Sequence, residues 1–461
     1  MPAPTTPPRG PARPPRPRTK GRTAVSSART PSAGAPSAVK PAPVRAGSPP
    51  ARSPIRRLWS WLEGDPETGG GVSYYMILGS SVALTLIGLL MVLSSSAVEA
   101  ITKETSSYDL FMRQGIWALA GFVLMVVMAR LPVDTIRRLA WPALGLAVLL
   151  LLLVFTPLGV EVYGNRNWIR IGGFSGQPSE AAKLALAVWA AAVLERKSHM
   201  ISNWRHAVVP VVFPLGGLVV LLVLLGRDLG TALVLLLILG TTIFLAGAPL
   251  RMFGVALGGA ASLALLMVAV SGNRMTRIYA WLRLNCDSAT DPCYQSEQGL
   301  YALASGGWWG LGLGQSRQKW NYIPEAENDF IFAIIGEELG LVGTIVIIAL
   351  FGLLAVAMYR VAARSHDRFV RVATGGIMVW LIGQAFINIG MVTNVLPVVG
   401  VPLPFISYGG SALTFALTAV GVVLAFARQG PGAPPVRQGP LSRALARTRG
   451  SLDQARRAPS A

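Results

Sequence analysis

Between residues 74 and 427 the chain alternates long apolar runs with short polar interruptions. Ten runs reach spanning length: about 74–94, 114–131, 139–157, 179–195, 207–225, 228–247, 251–271, 330–359, 370–393 and 407–427. A hydrocarbon core about 30 Å thick needs roughly 20 consecutive apolar residues in a helix. Lipid cannot satisfy open backbone groups, so runs of this kind form helices. The pattern therefore predicts an all-α fold, a polytopic membrane helical bundle of about ten transmembrane helices. The eighth and ninth runs are overlong and must tilt, kink or protrude. Two polar connections stand out on one side, 158–178 and a large loop at about 272–329. Connections of that length in a compact protein tend to carry function.

Composition agrees with a membrane protein. Of 461 residues 52% are hydrophobic and only 13% charged, where a soluble domain has about a quarter charged. The net charge of +20 suggests nucleic acid at first, but its distribution argues otherwise. Residues 1–70 hold 12 Lys and Arg against 3 acids, and residues 428–461 hold 7 Arg against 1 Asp, so the ends carry 15 of the 20 charges. Nucleic acid is excluded as a partner on that ground. Residues 1–70 also contain 16 of the 33 prolines and offer no apolar face, so both ends are expected to be disordered basic tails. No apolar stretch follows the early arginines, as a signal peptide would require. Trp59, Trp61 and Leu62, near Arg56 and Arg57, form either a short interfacial anchor or an ordinary linker. The expected division is thus a tail over 1–70, a transmembrane domain over 71–428 and a tail over 429–461.

With the basic ends cytoplasmic, the inner short loops carry eleven Lys and Arg (Arg130, Arg137, Arg138, Arg196, Lys197, Arg205, Arg251, Arg360, Arg364, Arg368, Arg371) and the outer ones five (Lys103, Arg113, Arg166, Arg170, Arg227). The positive-inside bias supports that orientation. His199, His206 and His366 then lie in cytoplasmic loops, which disfavours imidazole catalysis or a zinc centre on the outer face. Cys286 and Cys293 fall in the large outer loop and are placed to form a disulfide or to remain two thiols.

Polar residues near the outer ends of the runs are the candidates for chemistry. Trp168, between Arg166 and Arg170, is a belt residue or an aromatic platform beside cations. Ser179 after Pro178 is a candidate helix cap. Glu180 and Lys183, one turn apart, either pair structurally or line a hydrated cavity. Asp228 in GRDLGTAL caps a helix or marks a polar pathway. Arg274, Arg277, Arg317 and Lys319 are cations that could hold a diphosphate or touch lipid headgroups. Asp329 stands where the loop enters the eighth run; apolar surroundings disfavour its charged form, which suits a general base, and an N-cap role is compatible. Glu337 and Glu338 are expected to pair internally, away from the outer loop. The segment NVLPVVGVPLPFISYGGS is irregular at membrane depth, so it must be buried or line a cavity, with Asn394, Ser407 and Tyr408 as polar contacts.

Four long stretches in register, NRNWIRIGGFSGQPSEAAKL, RDLGTAL, GLGLGQSRQKWNYIPEAENDFIFAIIGEELGLVG and GQAFINIGMVTNVLPVVGVPLPFISYGGS, resemble the SEDS family (shape, elongation, division and sporulation) over about residues 74–428. The wording is closest to the division members, with the rod-shape members as near relatives. The resemblance implies a peptidoglycan glycosyltransferase that polymerises lipid II at the division septum. It also implies a class B penicillin-binding protein and other division proteins as partners, and both termini on the cytoplasmic side of the plasma membrane. The family's essential aspartate matches Asp329, with Glu327 and Asn328 replacing the usual His and Thr. Its functional tryptophan matches Trp168, its QPSE-x-x-K element Gln177 to Lys183, and its PDLGT element Asp228 to Thr231, with Arg227 in place of proline. Its loop arginines match Arg274 and Arg277, and its QK pair Gln318 and Lys319; Glu325 joins the candidate substrate-binding residues. On this resemblance Asp329 removes the proton from the acceptor sugar's 4-hydroxyl. Arg274, Arg277, Lys319 or a divalent cation, magnesium or manganese, would stabilise the departing diphosphate. Two rivals make different predictions: a lipid II flippase needs polar residues across the bilayer, and a non-enzymatic scaffold tolerates loss of Asp329.

Overall fold

The computed structural model describes residues 69–102, 108–197 except 163 and 173, 209–251 except 210, and 292–428 except 321, 322, 324 and 325, with a few isolated positions between 253 and 284. The two tails, Trp59, Trp61, Leu62, His199, His206, Arg274, Arg277, Cys286 and Glu325 lie outside the described residues.

Three long helices come first: α1 (Gly69–Thr102), α2 (Asp109–Arg130) and α3 (Val133–Leu153). The connection after them, expected as an irregular loop, is a small antiparallel sheet of β1 (Gly159–Val162), β2 (Asn165–Ile171) and β3 (Phe174–Gly176). Val160 pairs with Trp168 and Arg170 with Ser175. Its strands are short and lie against the helix ends, so their backbone groups are satisfied next to the membrane domain. Then follow α4 (Pro178–Arg196), a π-helical turn at Val212–Gly216, α5 (Gly217–Leu225), α6 (Leu229–Leu245), α7 (Pro292–Ser305) and α8 (Ile331–Arg364). The last elements are α9 (Arg368–Met378), a second π-helical turn at Val379–Gly383, α10 (Gln384–Val392) and α11 (Gly410–Ala427).

Among the described residues six stretches are long and apolar enough to cross a membrane: Gly71–Ser95, Leu110–Arg130, Val133–Leu153, Ile331–Arg364, Arg368–Val392 and Gly410–Ala427. The other runs differ for identifiable reasons. The fourth is α4, which carries Glu180, Lys183, Glu195 and Arg196, too many charges for a lipid-facing span, and is buried on nearly every face. The fifth and sixth form shorter apolar helices, Val212–Leu225 and Leu229–Leu245. Pro214 interrupts the fifth, where it removes a helical N–H. The seventh lies mostly outside the described residues.

Both overlong runs are broken. In α8 the helix is interrupted at Gly340, with φ 67° and ψ −167°, a backbone that only glycine takes up without strain. The ninth run is split by the π-helical turn between α9 and α10, a common site of helix distortion.

The core is built by α11 against α2, α8 against α1, and α4 against α3, α9 and α6. Gly421 lies so close to α2 that an added Cβ would come 2.5 Å from Met125 O. Close small-residue crossings supply the van der Waals contact that drives helix association in lipid.

Candidate active site

Residues 394–409 leave the regular structure between α10 and α11 and touch the candidate residues one after another. Asn388 in α10 is fully buried and its amide nitrogen donates to the carbonyl of Asp329 (2.9 Å) and to that of Val401 (2.8 Å). The same amide group thereby pins the Asp329 turn to this segment. Gly400, at φ 76°, lies beside the Asp329 carboxylate: a Cβ there would be 3.4 Å from Oδ2. Tyr408 N donates to the carbonyl of Glu327 (2.9 Å). Asp329 itself is half-buried. The N-cap of α8 is Phe330, without a side-chain cap bond, so Asp329 is not the capping aspartate that the sequence allowed.

Asp228 is that kind of residue. It caps α6, with Oδ1 accepting from Thr231 N (2.9 Å) and Oδ2 accepting from Thr231 Oγ1, Asn167 Nδ2 and Gln177 Nε2, each at 2.9 Å. Four donors saturate the carboxylate and tie the sheet to the helix. Val399 and Val401 press on the first turn of α6 at Gly230.

Glu180 and Lys183 are buried to 2% and 1% exposure and paired at 2.7 Å. Lys183 Nζ also donates to Gln384 Oε1 (2.9 Å) and lies 5.3 Å from the Trp380 ring centroid. Trp380 Nε1 donates to the same Gln384 oxygen, and Gln384 Nε2 donates to Pro402 O (2.8 Å). Pairing is what the fold shows: Glu180, Trp380, Gln384, Pro402 and Ser407 line only a crevice of about 10 Å³, the space of roughly one water. A buried pair of this kind needs further partners, and Lys183 finds them in the Gln384 oxygen and the Trp380 ring.

The remaining candidates divide. Ser179 is the second residue of α4 after the N-cap Gln177, and its hydroxyl is buried without a hydrogen-bond partner, so it does not cap the helix. Gln177 N instead donates to Ser411 Oγ at the start of α11 (3.0 Å). Arg166 uses its guanidinium on the carbonyls of Val154 and Thr156 at the end of α3. Trp168 is half-buried and Arg170 exposed in β2. Ser407 Oγ accepts from Leu403 N and its carbonyl accepts from Gln114. The carbonyl of Asn394 accepts from Trp281 Nε1. Cys293 is buried and disulfide-bonded.

Lys319 is placed differently from the expectation. Its ammonium donates to Glu338 Oε1 (3.1 Å), Gly314 O (2.8 Å) and Ser94 O (3.2 Å). Three partners use its three donors, so it is a buried structural cation rather than an open diphosphate ligand. Glu337 and Glu338 are correspondingly not away from the outer loop: they hold it. Glu337 accepts from Ser316 Oγ, Arg317 N and Gln318 N, and Glu338 from Ser94 Oγ and Ser316 N. Gln384 and Asn388 were missed as functional residues, although two amides one turn apart in an apolar run are a readable signal.

A family model described as cell cycle protein, covering FtsW, RodA and SpoVE, matches residues 75–430. The chain belongs to this family. It is the SEDS family to which the motifs pointed, and the family's members include close relatives of this chain. A Mycobacterium tuberculosis protein carrying the name peptidoglycan glycosyltransferase FtsW is 39% identical over 389 residues, 84% of this chain and 73% of that protein. A Geobacter sulfurreducens protein of the same name is 40% identical over 362 residues, 78% of this chain and 96% of that one. Among solved structures, a chain from a peptidoglycan synthase complex that coordinates polymerization and crosslinking superposes with TM-score 0.62 at 28% identity. It covers 77% of this chain and 97% of that chain. The Thermus thermophilus rod shape determining protein RodA gives TM-score 0.58, again at 28% identity, with the same coverage. The family member described here is an integral membrane protein with a helical bundle.

Proposed function

We propose that the chain is a peptidoglycan glycosyltransferase that polymerises lipid II into glycan strands during septal cell-wall synthesis. The observation that carries the reading is the convergence on residues 394–411: one segment meets the Asp329 turn, the first turn of α6 at Gly230, Gln384, which bonds Lys183, and Gln177. That four sequence motifs far apart in the chain neighbour one segment supports reading them as one site. The relatives named FtsW support the activity and its place in division.

In this reading the Asp329 carboxylate takes the proton from the 4-hydroxyl of an acceptor GlcNAc. That oxygen bonds to the anomeric carbon of the lipid-linked MurNAc, and undecaprenyl diphosphate departs with the electron pair of the broken bond. Asn388 fixes the Asp329 backbone and Gly400 leaves the carboxylate room. Arg170, exposed on the sheet, is a cation open to the diphosphate among the described residues, while Lys319 is committed elsewhere. Among the described residues no three His, Cys, Asp or Glu side chains converge. No step is assigned to a divalent ion.

The enzyme acts with a class B penicillin-binding protein that crosslinks the strands, and with other division proteins. It resides in the plasma membrane with both termini cytoplasmic. Purified chain incubated with lipid II, with and without the class B protein, tests the reading: glycan polymer is expected from the wild type and not from Asp329→Ala. Polymer formed by Asp329→Ala at the wild-type rate would overturn the assignment of the base.

A further inference from the structure

The loop that follows α7 carries five large apolar side chains that the bundle leaves uncovered. Trp308 and Trp309 are 69% and 81% exposed, and Leu311, Leu313 and Trp320 are exposed as well. In open water such a cluster is costly. Two independent observations fix its level in the membrane.

The first is the change of character along α8. Residues 331–338 are buried on every face, whereas Leu341, Val342, Ile345, Val346 and Ile348, beyond the Gly340 break, are exposed apolar residues as a lipid-facing helix requires. From residue 341 to Arg364 the helix rises about 36 Å, enough to cross a hydrocarbon core about 30 Å thick. Its membrane-facing part therefore begins at the break. The second is α1, whose apolar run gives way to three serines at 94–96. Ser94 Oγ bonds Glu338 at 2.7 Å, while at the opposite end Arg360 meets Met76. Two antiparallel helices thus put residues 338–340 at one membrane boundary.

The loop is fastened at that boundary. Leu341 N donates to Gly307 O and Val342 N to Trp308 O, while Leu311 N and Gly312 N donate to the carbonyls of Glu337 and Glu338. Lys319 and Ser316 close the clasp through the two carboxylates. Trp308 is accordingly bonded to the first lipid-facing turn of α8, and the exposed cluster continues that lipid-facing surface.

We propose that residues 308–320 form an interfacial anchor whose occupant is the lipid bilayer itself, with the Trp308 and Trp309 rings at headgroup level. Indole rings favour that zone because their body is apolar and their N–H stays wet. The anchor holds the start of the segment that leads into Asp329 at the membrane surface. It stands whether or not Asp329 is the base.

The test is tryptophan fluorescence of the full chain in bilayer nanodiscs, taken as the difference between wild type and Trp308→Phe/Trp309→Phe. With lipids brominated near the glycerol end of the chain, the difference signal should be quenched about twofold more than with lipids brominated near the methyl end, as expected for an interfacial ring. It should also be shielded from aqueous acrylamide. Trp309→Phe alone, at the more exposed position, repeats the measurement if the double variant folds poorly. A difference signal open to acrylamide and indifferent to brominated lipid overturns the proposal. So does a signal that becomes shielded only when a class B penicillin-binding protein is added, which would assign the cluster to a protein partner.

Discussion

Two aspartates each precede an apolar helix, and the chain treats them oppositely. Asp228 is 8% exposed and spends both oxygens on four donors, so its role is to close a joint between the sheet and α6. Asp329 is half-buried and is fixed through its carbonyl by Asn388, with a glycine rather than a bulky side chain beside the carboxylate. The Asp329 turn is thus positioned through its backbone carbonyl, whereas Asp228 is held through its side chain. That contrast separates a candidate base from a structural acid of the same type and sequence setting.

Four substitutions bear on the contrast, in decreasing size of effect. Asp329→Ala should lower lipid II polymerisation by ~10²–10⁴-fold, the usual contribution of a general base, with an unchanged melting profile. Asp228→Ala should do the reverse: it strands buried donors and removes a cap, for a loss of stability on the order of 3 kcal/mol, read by thermal unfolding in detergent. Equal loss of stability in both variants would erase the distinction. Gly230→Ala tests where the two surroundings meet, because its Cβ would lie 2.8 Å from Val401 Cγ1 and 3.0 Å from Val399 O. Overpacking there should cost about 1–3 kcal/mol and also slow polymerisation, since residues 399–401 neighbour Asp329. Arg170→Ala, at an exposed strand position, should change stability by no more than about 0.5 kcal/mol; a lowered polymerisation rate with raised apparent KM would place its charge at the substrate.

Much of this was legible in the sequence. The apolar runs announce the helical bundle because lipid leaves the backbone no other choice, and Asp329, Asp228, Glu180 and Lys183 stand out as charges at run ends. The small sheet was not seen, because its strands are three to seven residues long and compete with the stronger signal of a polar, glycine-rich stretch. Lys319 was misplaced because a cation in an outer loop looks available until its partners, Ser94 and Glu338, arrive from 225 and 19 residues away. Glu337 and Glu338 were placed away from the loop for the same reason: the loop residues that bond them, Ser316 to Lys319, come from 19 to 22 residues earlier in the chain.

The burial of α4 has a consequence for how the protein is made. A helix with no lipid face and two ionised residues gains little from lipid alone when it leaves the insertion machinery. Glu180 and Lys183, one turn apart, can neutralise each other within the helix as it enters, and α3 is already beside it. Its other neighbours are α6, made soon after it, and α9, whose first residue is translated 172 positions after the end of α4. Until then the ion pair must be kept by hydration or by a temporary neighbour, so a chain truncated before residue 368 should hand α4 to the membrane quality-control machinery rather than leave it stably inserted.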